Sequence, residues 1–279
     1  MKVGVIGSGT MGAGIAQLLA QHGHEVVLNA RRESSIERGI GGVEKQLGRA
    51  VQRERITQED MDATMGLISG TTVLEDLKDC DLIIEAAAEE IESKKELFKK
   101  LDELVGEDVI LATNTSSLSI TEIAAATNRP GKVVGMHFFN PVPVMKLVEV
   151  IGGVATDEAT LEYVTQLSKD LGKNPVKVDE APGFVVNRIL VPLINEGVGI
   201  LADGVASAED IDAAMKLGAN HPMGPLELGD LIGLDVCLNI MDVLYTEFQD
   251  PKYRAHPLLR KMVRGGKLGR KTKAGFYNY

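Results

Sequence analysis

The N-terminal segment reads Lys2-Val3-Gly4-Val5-Ile6-Gly7-Ser8-Gly9-Thr10-Met11-Gly12, an apolar run followed by a GxGxxG loop. Helical spacing from residue 11 to about residue 22 and a second apolar run at 25–29 predict a strand–loop–helix–strand unit. Glycine lets the backbone approach a pyrophosphate, which the helix N-terminus binds through its N–H groups. A tight turn without a ligand is the alternative, and the flanking strands argue against it. We predict that a dinucleotide contacts the loop residues Gly7, Gly9, Thr10, Met11 and Gly12.

The position after the second predicted strand indicates which dinucleotide is preferred. An acid usually stands about 20 residues after the glycine loop, where it accepts a hydrogen bond from the ribose 2′-OH of NAD. Here Ala30 follows Asn29, and Arg31 and Arg32 come next. A guanidinium binds a 2′-phosphate that a carboxylate would repel, so the pattern favours NADP(H) over NAD(H). The alternative is an exposed arginine loop in which Asn29 bonds the ribose of NAD.

Strand-like and helix-like segments alternate through the first two thirds of the chain. Further apolar runs predict strands at 82–84, 109–111 and 133–136. A charged, helix-periodic stretch covers 94–105. This alternation is typical of the α/β class, here a Rossmann-like, doubly wound and mostly parallel sheet.

The pattern changes after Pro182-Gly183, where strand-like runs stop. Helical spacing then recurs over 189–201 and over 228–236. We therefore predict a dinucleotide-binding domain over residues 1–182 and an all-α domain over residues 183–279.

Composition argues against several classes of function. The chain has 279 residues, 44% of them apolar, and a formal net charge of −10. That charge argues against nucleic-acid binding, and no apolar stretch is long enough to span a bilayer. Cys80 and Cys237 lack the spacing of metal ligands and are expected to be buried, free thiols. We expect a soluble cytoplasmic protein with no resident metal, no nucleic-acid partner and no membrane partner.

A histidine and a glutamate flank a segment rich in turn formers. His137 follows an apolar run, and Glu149 comes 12 residues later, after Asn140-Pro141-Val142-Pro143. A hairpin-like reversal centred on residue 143 would place His137 opposite Glu149. A carboxylate that holds one ring nitrogen fixes the tautomer of the histidine, as a general acid/base requires. The alternative is a buried histidine satisfied by the backbone, with Glu149 at a strand end.

Polar residues also follow the predicted strand at 109–111. Asn114-Thr115-Ser116-Ser117 stands where the carboxyl end of that strand should meet a ligand. Hydroxyl and amide groups there hold a substrate oxygen or, alternatively, cap a helix. Asn187 lies near the predicted domain boundary, where its amide either reaches a cleft or pairs across the domain interface.

A basic stripe recurs every four residues at Lys45, Arg49 and Arg53, which places it along one side of a helix predicted within 37–55. An anionic substrate would need such a local basic patch against the negative net charge. The alternative is a solvated helix face. The helix prediction is weakened by the glycines at positions 39, 41, 42 and 48.

Several longer runs resemble the 3-hydroxyacyl-CoA dehydrogenase family, and the resemblance extends over the whole chain. The runs are residues 114–118, 137–141 through 145–150, 181–188, 214–219 with 222–225, and 269–277. The similarity is greatest to bacterial, single-function members without a fused hydratase. It implies hydride transfer between a nicotinamide cofactor and a CoA thioester, with acetoacetyl-CoA and 3-hydroxybutyryl-CoA as the substrate pair.

The resemblance implies a role for each matched residue. His137 would exchange a proton with the C3 oxygen, and Glu149 would orient and charge-stabilise His137. Ser116 would hydrogen-bond the C3 oxygen, and Asn187 would position the substrate. The implied cofactor contacts are Glu89, Lys94, Asn114 and Lys271.

The resemblance also implies binding partners, and the chain departs from the family pattern at one position. Arg49 and Arg53 fall in the region that meets the CoA nucleotide, and the helical domain resembles a dimerisation domain, which implies a substrate cleft and a homodimer. Most members carry Asp where this chain has Ala30. That departure concerns the identity of the cofactor and leaves the reaction unchanged.

Two other functions compete with this interpretation. A β-hydroxyacid dehydrogenase acting on free acids shares the glycine loop but uses a lysine as its acid/base. A non-catalytic, crystallin-like or nucleotide-sensing protein is built on the same scaffold. The set Ser116, His137 and Glu149 argues against both, and we expect a reductase that prefers NADP(H).

Overall fold

An eight-stranded sheet organises residues 1–180 of the computed structural model, which describes all residues from 1 to 279. The strands are β1 (Lys2–Ile6), β2 (Glu25–Asn29), β3 (Ile68–Thr71), β4 (Leu82–Glu85), β5 (Ile110–Thr113), β6 (Val133–Phe138), β7 (Leu147–Gly152) and β8 (Asn174–Asp179). Their order is β3-β2-β1-β4-β5-β6-β7-β8, and every neighbouring pair is parallel except β6 and β7. The predicted Rossmann-like, mostly parallel fold is confirmed.

Six helices accompany the sheet in this first unit. They are α1 (Thr10–Gln21), α2 (Glu33–Gln52), α3 (Gln58–Gly66), α4 (Ile91–Leu104), α5 (Ile120–Ala124) and α6 (Glu158–Asp170). Apolar side chains of the central strands and of α1 form the core, among them Val3, Ile15 and Leu82, which are fully buried. Burial of this apolar surface is the main force that holds the layers together.

The two strands that the sequence did not predict are the edge strands β3 and β8. In β8 exposed residues outnumber half-buried ones, and β3 has no fully buried residue. An edge strand has a neighbour on one side only, so it needs no continuous apolar run. The central strands β1 and β2, which are nearly all buried, match their predicted bounds.

The expectation that glycines weaken the second helix is wrong. Helix α2 runs for 20 residues through all four of them. Its buried face, formed by Ile36, Val43 and Leu47, outweighs the low helix propensity of glycine. Gly39 is required, because a Cβ there would lie 2.8 Å from the carbonyl oxygen of Ser8.

Residues 181–279 form a second, helical unit. Its helices are α7 (Val186–Ala202), α8 (Ala208–Gly218), α9 (Pro225–Ile232), α10 (Leu234–Phe248) and α11 (Pro257–Arg264). The helical spacing over 228–236 belongs to two helices, because α9 ends and α10 begins at Gly233. The φ of Gly233 is +108°, a value accessible mainly to glycine. None of the helices combines the length and the apolar character needed to cross a membrane.

Candidate active site

The glycines of the loop after β1 serve different purposes. Gly7 has a φ of +103°, and a Cβ on it would lie 2.5 Å from the carbonyl oxygen of Ala86. A Cβ on Gly12 would lie 1.7 Å from the carbonyl oxygen of Gly7. Gly9 has an ordinary φ of −69°, and nothing lies within 4 Å of a Cβ placed on it. The fold therefore requires Gly7 and Gly12, whereas Gly9 leaves open space that a ligand would use.

The N-terminus of α1 fits the pyrophosphate of a dinucleotide. Gly9 is the N-cap and supplies no side-chain hydrogen bond, so the first-turn N–H groups are not capped by a side chain. The glycine loop borders a cavity of about 1040 Å³. That cavity brings together the predicted cofactor residues Gly7, Gly9, Asn29, Ala30, Arg31, Arg32 and Lys94. Thr10 lines a smaller adjoining cavity of about 500 Å³ between α1 and α2, and Met11, Gly12, Glu89 and Asn114 line neither.

A pair of alanine variants separates the two uses of glycine. Gly9→Ala should weaken cofactor binding at least about tenfold and leave Tm within about 3 °C, because alanine fits the backbone and meets no protein atom. Gly12→Ala should cost about 1–3 kcal/mol of folding free energy or more, because its methyl group overlaps the Gly7 carbonyl. Thermal unfolding and cofactor titration measure both effects. Equal cofactor affinity in Gly9→Ala and the wild type would show that no ligand approaches Gly9.

The rim of the large cavity holds the residues predicted to select the cofactor. Arg31 and Arg32 are exposed, and Arg32 is the N-cap residue of α2. Asn29 is 7% exposed, and its amide nitrogen donates to the carbonyl oxygens of Thr71 at 3.2 Å and Val73 at 3.3 Å. Both amide hydrogens of Asn29 thus hold the loop after β3. Its acceptor oxygen remains for a ribose hydroxyl, as the alternative in which Asn29 replaces the missing acid requires.

His137 and Glu149 face each other on β6 and β7. They are register partners of this antiparallel pair, so the predicted reversal about residue 143 is confirmed. Nδ1 of His137 lies 2.7 Å from Oε2 of Glu149, and the two side chains are 7% and 1% exposed. An ionised carboxylate only accepts, so this bond puts a proton on Nδ1 and makes Nε2 the acceptor nitrogen of the neutral ring. The ring of Phe139 packs against the imidazole, with centroids 4.5 Å apart.

Glu89 accepts several hydrogen bonds from the loop that follows β5. Its Oε1 accepts hydrogen bonds from Thr115 Oγ1 at 2.6 Å, from Ser116 N and Oγ at 2.7 and 3.0 Å, and from Ser117 N at 3.1 Å. The structure therefore shows Glu89, predicted as a cofactor contact, fixing the position of Ser116. Because β5 and β6 are parallel neighbours, this loop and His137 lie at the same edge of the sheet.

A buried ion pair supports the same edge and was not predicted. Lys94 donates from Nζ to both carboxylate oxygens of Glu85, at 2.6 and 2.7 Å, and lies 3.6 Å from Oε2 of Glu89. Glu85 also accepts from Thr113 Oγ1 at 2.7 Å. The only signal in the sequence is an acid at the end of an apolar strand, where a buried position calls for a partner.

The other predicted site residues lie in both units of the chain. Oδ1 of Asn114 accepts the N–H of Phe138 at 2.8 Å, which fixes the end of β6. In the second unit, Asn187 is the second residue of α7, and Lys271 donates to Asp235 at 2.6 Å. The basic stripe is exposed, with Lys45 and Arg49 in α2 and Arg53 directly after it.

Neither cysteine is a candidate nucleophile. Both are free and buried, as predicted. Burial raises the pKa of Cys80 to about 11 and that of Cys237 to about 12. Since the thiolate is the reactive form, both remain inert thiols at neutral pH.

Known proteins share this sequence and this fold. Residues 2–181 match the NAD binding domain of 3-hydroxyacyl-CoA dehydrogenase, and residues 183–279 match the C-terminal domain of that enzyme. A 3-hydroxybutyryl-CoA dehydrogenase of Clostridioides difficile is 62% identical over 279 residues, which cover 100% of this chain and 99% of that protein. Human mitochondrial hydroxyacyl-coenzyme A dehydrogenase is 45% identical over 99% of this chain and 90% of its own length. The solved (S)-3-hydroxybutyryl-CoA dehydrogenase of Ralstonia eutropha is 51% identical, with a TM-score of 0.95 and coverage of 100% of this chain and 98% of that chain.

Proposed function

Since the chain belongs to the 3-hydroxyacyl-CoA dehydrogenase family, we propose that it interconverts acetoacetyl-CoA and 3-hydroxybutyryl-CoA. The observation that carries the proposal is the 2.7 Å contact between His137 Nδ1 and Glu149 Oε2 at the sheet edge that also holds Ser116. The names of the bacterial relatives support this substrate pair.

The acid/base work falls to His137. A nicotinamide cofactor, held by the glycine loop and the large cavity beside it, would supply the hydride that C3 of the thioester takes up, or would accept it in the reverse direction. In the reductive direction, Nε2 of the imidazolium passes its proton to the C3 oxygen as the carbonyl becomes an alcohol. Glu149 offsets the positive charge of the ring before that transfer and keeps the remaining proton on Nδ1. In the oxidative direction the same nitrogen takes the proton back.

Two further side chains are proposed to hold the substrate. On substrate binding the hydroxyl of Ser116 turns from Glu89, to which it donates in this structure, and donates to the C3 oxygen instead. The backbone N–H groups of Ser116 and Ser117 still donate to Glu89 and keep the loop in place. Preorganised donors of this kind stabilise charge that develops on a reacting oxygen. Asn187 is proposed to position the thioester through its amide, and Lys271 to contact the cofactor.

We also propose that the cofactor is NADP(H). The support is the pair of exposed arginines that follow Ala30 and line the large cavity, together with the lack of an acid at position 30 itself. NAD(H) is the less favoured alternative.

The basic stripe is proposed to bind the CoA phosphates. Arg49→Glu or Arg53→Glu should raise KM for the CoA thioester about fivefold, which corresponds to about 1 kcal/mol for an exposed charge contact. The KM for the cofactor should not change, and the rise in thioester KM should shrink at high salt. Arg264→Glu, an exposed change on α11, is the matched control. Normal KM in both stripe variants would leave the stripe as a solvated helix face.

The buried lysines argue against a dehydrogenase that acts on free acids with a lysine acid/base. Lys94 is paired with Glu85, and Lys173 is bonded to two backbone carbonyls. A β-hydroxyacid dehydrogenase therefore remains the weaker alternative, as does a non-catalytic crystallin-like or nucleotide-sensing protein.

One assay tests the proposed reaction. Reduction of acetoacetyl-CoA is followed at 340 nm with NADPH and with NADH, beside free acetoacetate as the alternative substrate. Turnover of the thioester and none of the free acid is the expected result. Turnover of the free acid alone would establish the rival dehydrogenase, and no turnover with either would establish the non-catalytic alternative.

We also propose that the protein forms a homodimer and that it lies in the cytoplasm. Exposed apolar side chains in the second unit, such as Ile189 at 68% and Leu217 at 87%, support a homodimer formed through that unit. Light scattering would then give a mass twice the 30.0 kDa of one chain. Two free, buried cysteines suit a reducing cytoplasm.

A further inference from the structure

Lys173 is a buried lysine that the proposed reaction does not use. The residue is 5% exposed, and its Nζ donates to the carbonyl oxygens of Val142 at 2.6 Å and Met145 at 2.9 Å. No carboxylate pairs with it, and burial, reinforced by the positive charge of Lys146, lowers the pKa of Lys173. Burying an ammonium without a counter-charge costs folding free energy. The two carbonyls that Lys173 bonds therefore indicate its role.

Both carbonyls belong to the 139–146 loop, which joins the strand of His137 to the strand of Glu149. The loop begins with Phe139, whose ring packs on the imidazole of His137 with centroids 4.5 Å apart. A shift of the loop would therefore reach His137 through its nearest aromatic neighbour.

The same loop is wedged between two other elements. Val142 is buried against α1, where a Cβ on Gly14 would lie 3.0 Å from the Cβ of Val142. On the other side, the N–H of Asn174 donates to the carbonyl oxygen of Lys146 at 2.7 Å. Lys173 thus holds the middle of a loop whose one face rests on the helix of the glycine loop.

We propose that Lys173 is a positioning residue, whose ammonium fixes the 139–146 loop so that the loop keeps the His137 ring against Glu149. An ammonium carries three donors, so one group bonds two carbonyls together, and these charge-assisted bonds are stronger than neutral ones. The inference rests on the proposed function, in which His137 is the acid/base.

Lys173→Met tests the proposal, because it keeps the apolar stem and removes the donors. The kcat should fall by about 10–100-fold, since a displacement of about 1 Å at a catalytic group costs about 10²-fold. The KM for the cofactor should stay within about twofold, because binding is left intact. Lys177→Met, which changes an exposed lysine on β8, is the control and should retain wild-type kcat.

Nitrogen-15 NMR of labelled histidine supplies a readout that is independent of turnover. The wild-type His137 should carry its neutral-form proton on Nδ1, opposite Glu149. Lys173→Met should show a second tautomer with the proton on Nε2, because the ring no longer keeps its place against the carboxylate. Loss of the signals in His137→Gln assigns them among the five histidines of the chain.

A Lys173→Met protein with wild-type kcat and a wild-type tautomer, whatever its Tm, would overturn the proposal. Gly14→Ala approaches the same loop from α1 and replaces the lysine variant if that variant does not fold. It should shift the tautomer in the same direction, and an unchanged tautomer there would also overturn the proposal. If the wild type does not reduce acetoacetyl-CoA, the proposed function is wrong, and the tautomer comparison still judges the role of Lys173.

Discussion

Replacing His137 with Gln is expected to lower kcat by about 10²–10⁴-fold, the usual contribution of a positioned acid/base. Glutamine occupies a similar volume but cannot transfer a proton at neutral pH. Cofactor affinity should be retained, because His137 does not line the cavity bordered by the glycine loop. Steady-state kinetics and cofactor titration of the purified variant measure the two quantities.

His24→Gln is the control for this prediction. His24 precedes β2 and so stands at the amino-terminal edge of the sheet, opposite to His137. The control should keep wild-type kcat. A His137→Gln protein with near-normal turnover would remove His137 from the mechanism.

Glu149→Gln should also impair kcat severely. The glutamine amide can still contact Nδ1 through its acceptor oxygen, but it carries no charge to offset that of the imidazolium. It can also turn its NH2 donor towards the ring, which would remove the bond that keeps the proton on Nδ1. This is why an intact geometry alone would not restore the rate. Wild-type kcat in Glu149→Gln would show that the carboxylate only fills space beside the ring.

Substituting Arg31 and Arg32 together by Ala is expected to weaken NADPH binding about 100-fold and to leave NADH nearly unchanged. Each lost arginine–phosphate hydrogen bond of about 1.4 kcal/mol corresponds to about tenfold in affinity. Ala30→Asp should act in the same direction, because its carboxylate repels a 2′-phosphate and accepts a bond from a 2′-OH. The ratio of kcat/KM for the two cofactors reports both effects, and the pH profile of kcat should not move.

Arg264→Ala, an exposed arginine of the second unit, controls for the loss of a surface charge. The wild-type ratio is the most direct measurement. A protein that uses NADH as well as NADPH, or better, would refute the NADP(H) proposal and leave the acceptor oxygen of Asn29 as the remaining ribose partner.

Local patterns were enough to predict the centre of the fold. The strands β1 and β2 and the loop between them follow from apolar runs and glycine spacing, because buried parallel strands are continuously apolar. The pairing of His137 with Glu149 follows from counting about Pro143, since antiparallel register is fixed once the turn is located. The family motifs then indicated the chemistry that we propose for this edge of the sheet.

The supporting contacts could not be predicted, because they join residues that only the packed chain brings together. Glu85 meets Lys94 and Thr113, and Glu89 meets the Ser116 loop, across separations of 9 to 28 residues. Lys173 reaches a loop 28 to 31 residues earlier in the chain. Periodicity reports which face of an element is buried, but a hydrogen bond between distant polar groups depends on how the loops pack. The glycine loop and the His137–Glu149 register could therefore be predicted from the sequence, whereas the polar contacts that hold them arise only from the tertiary packing.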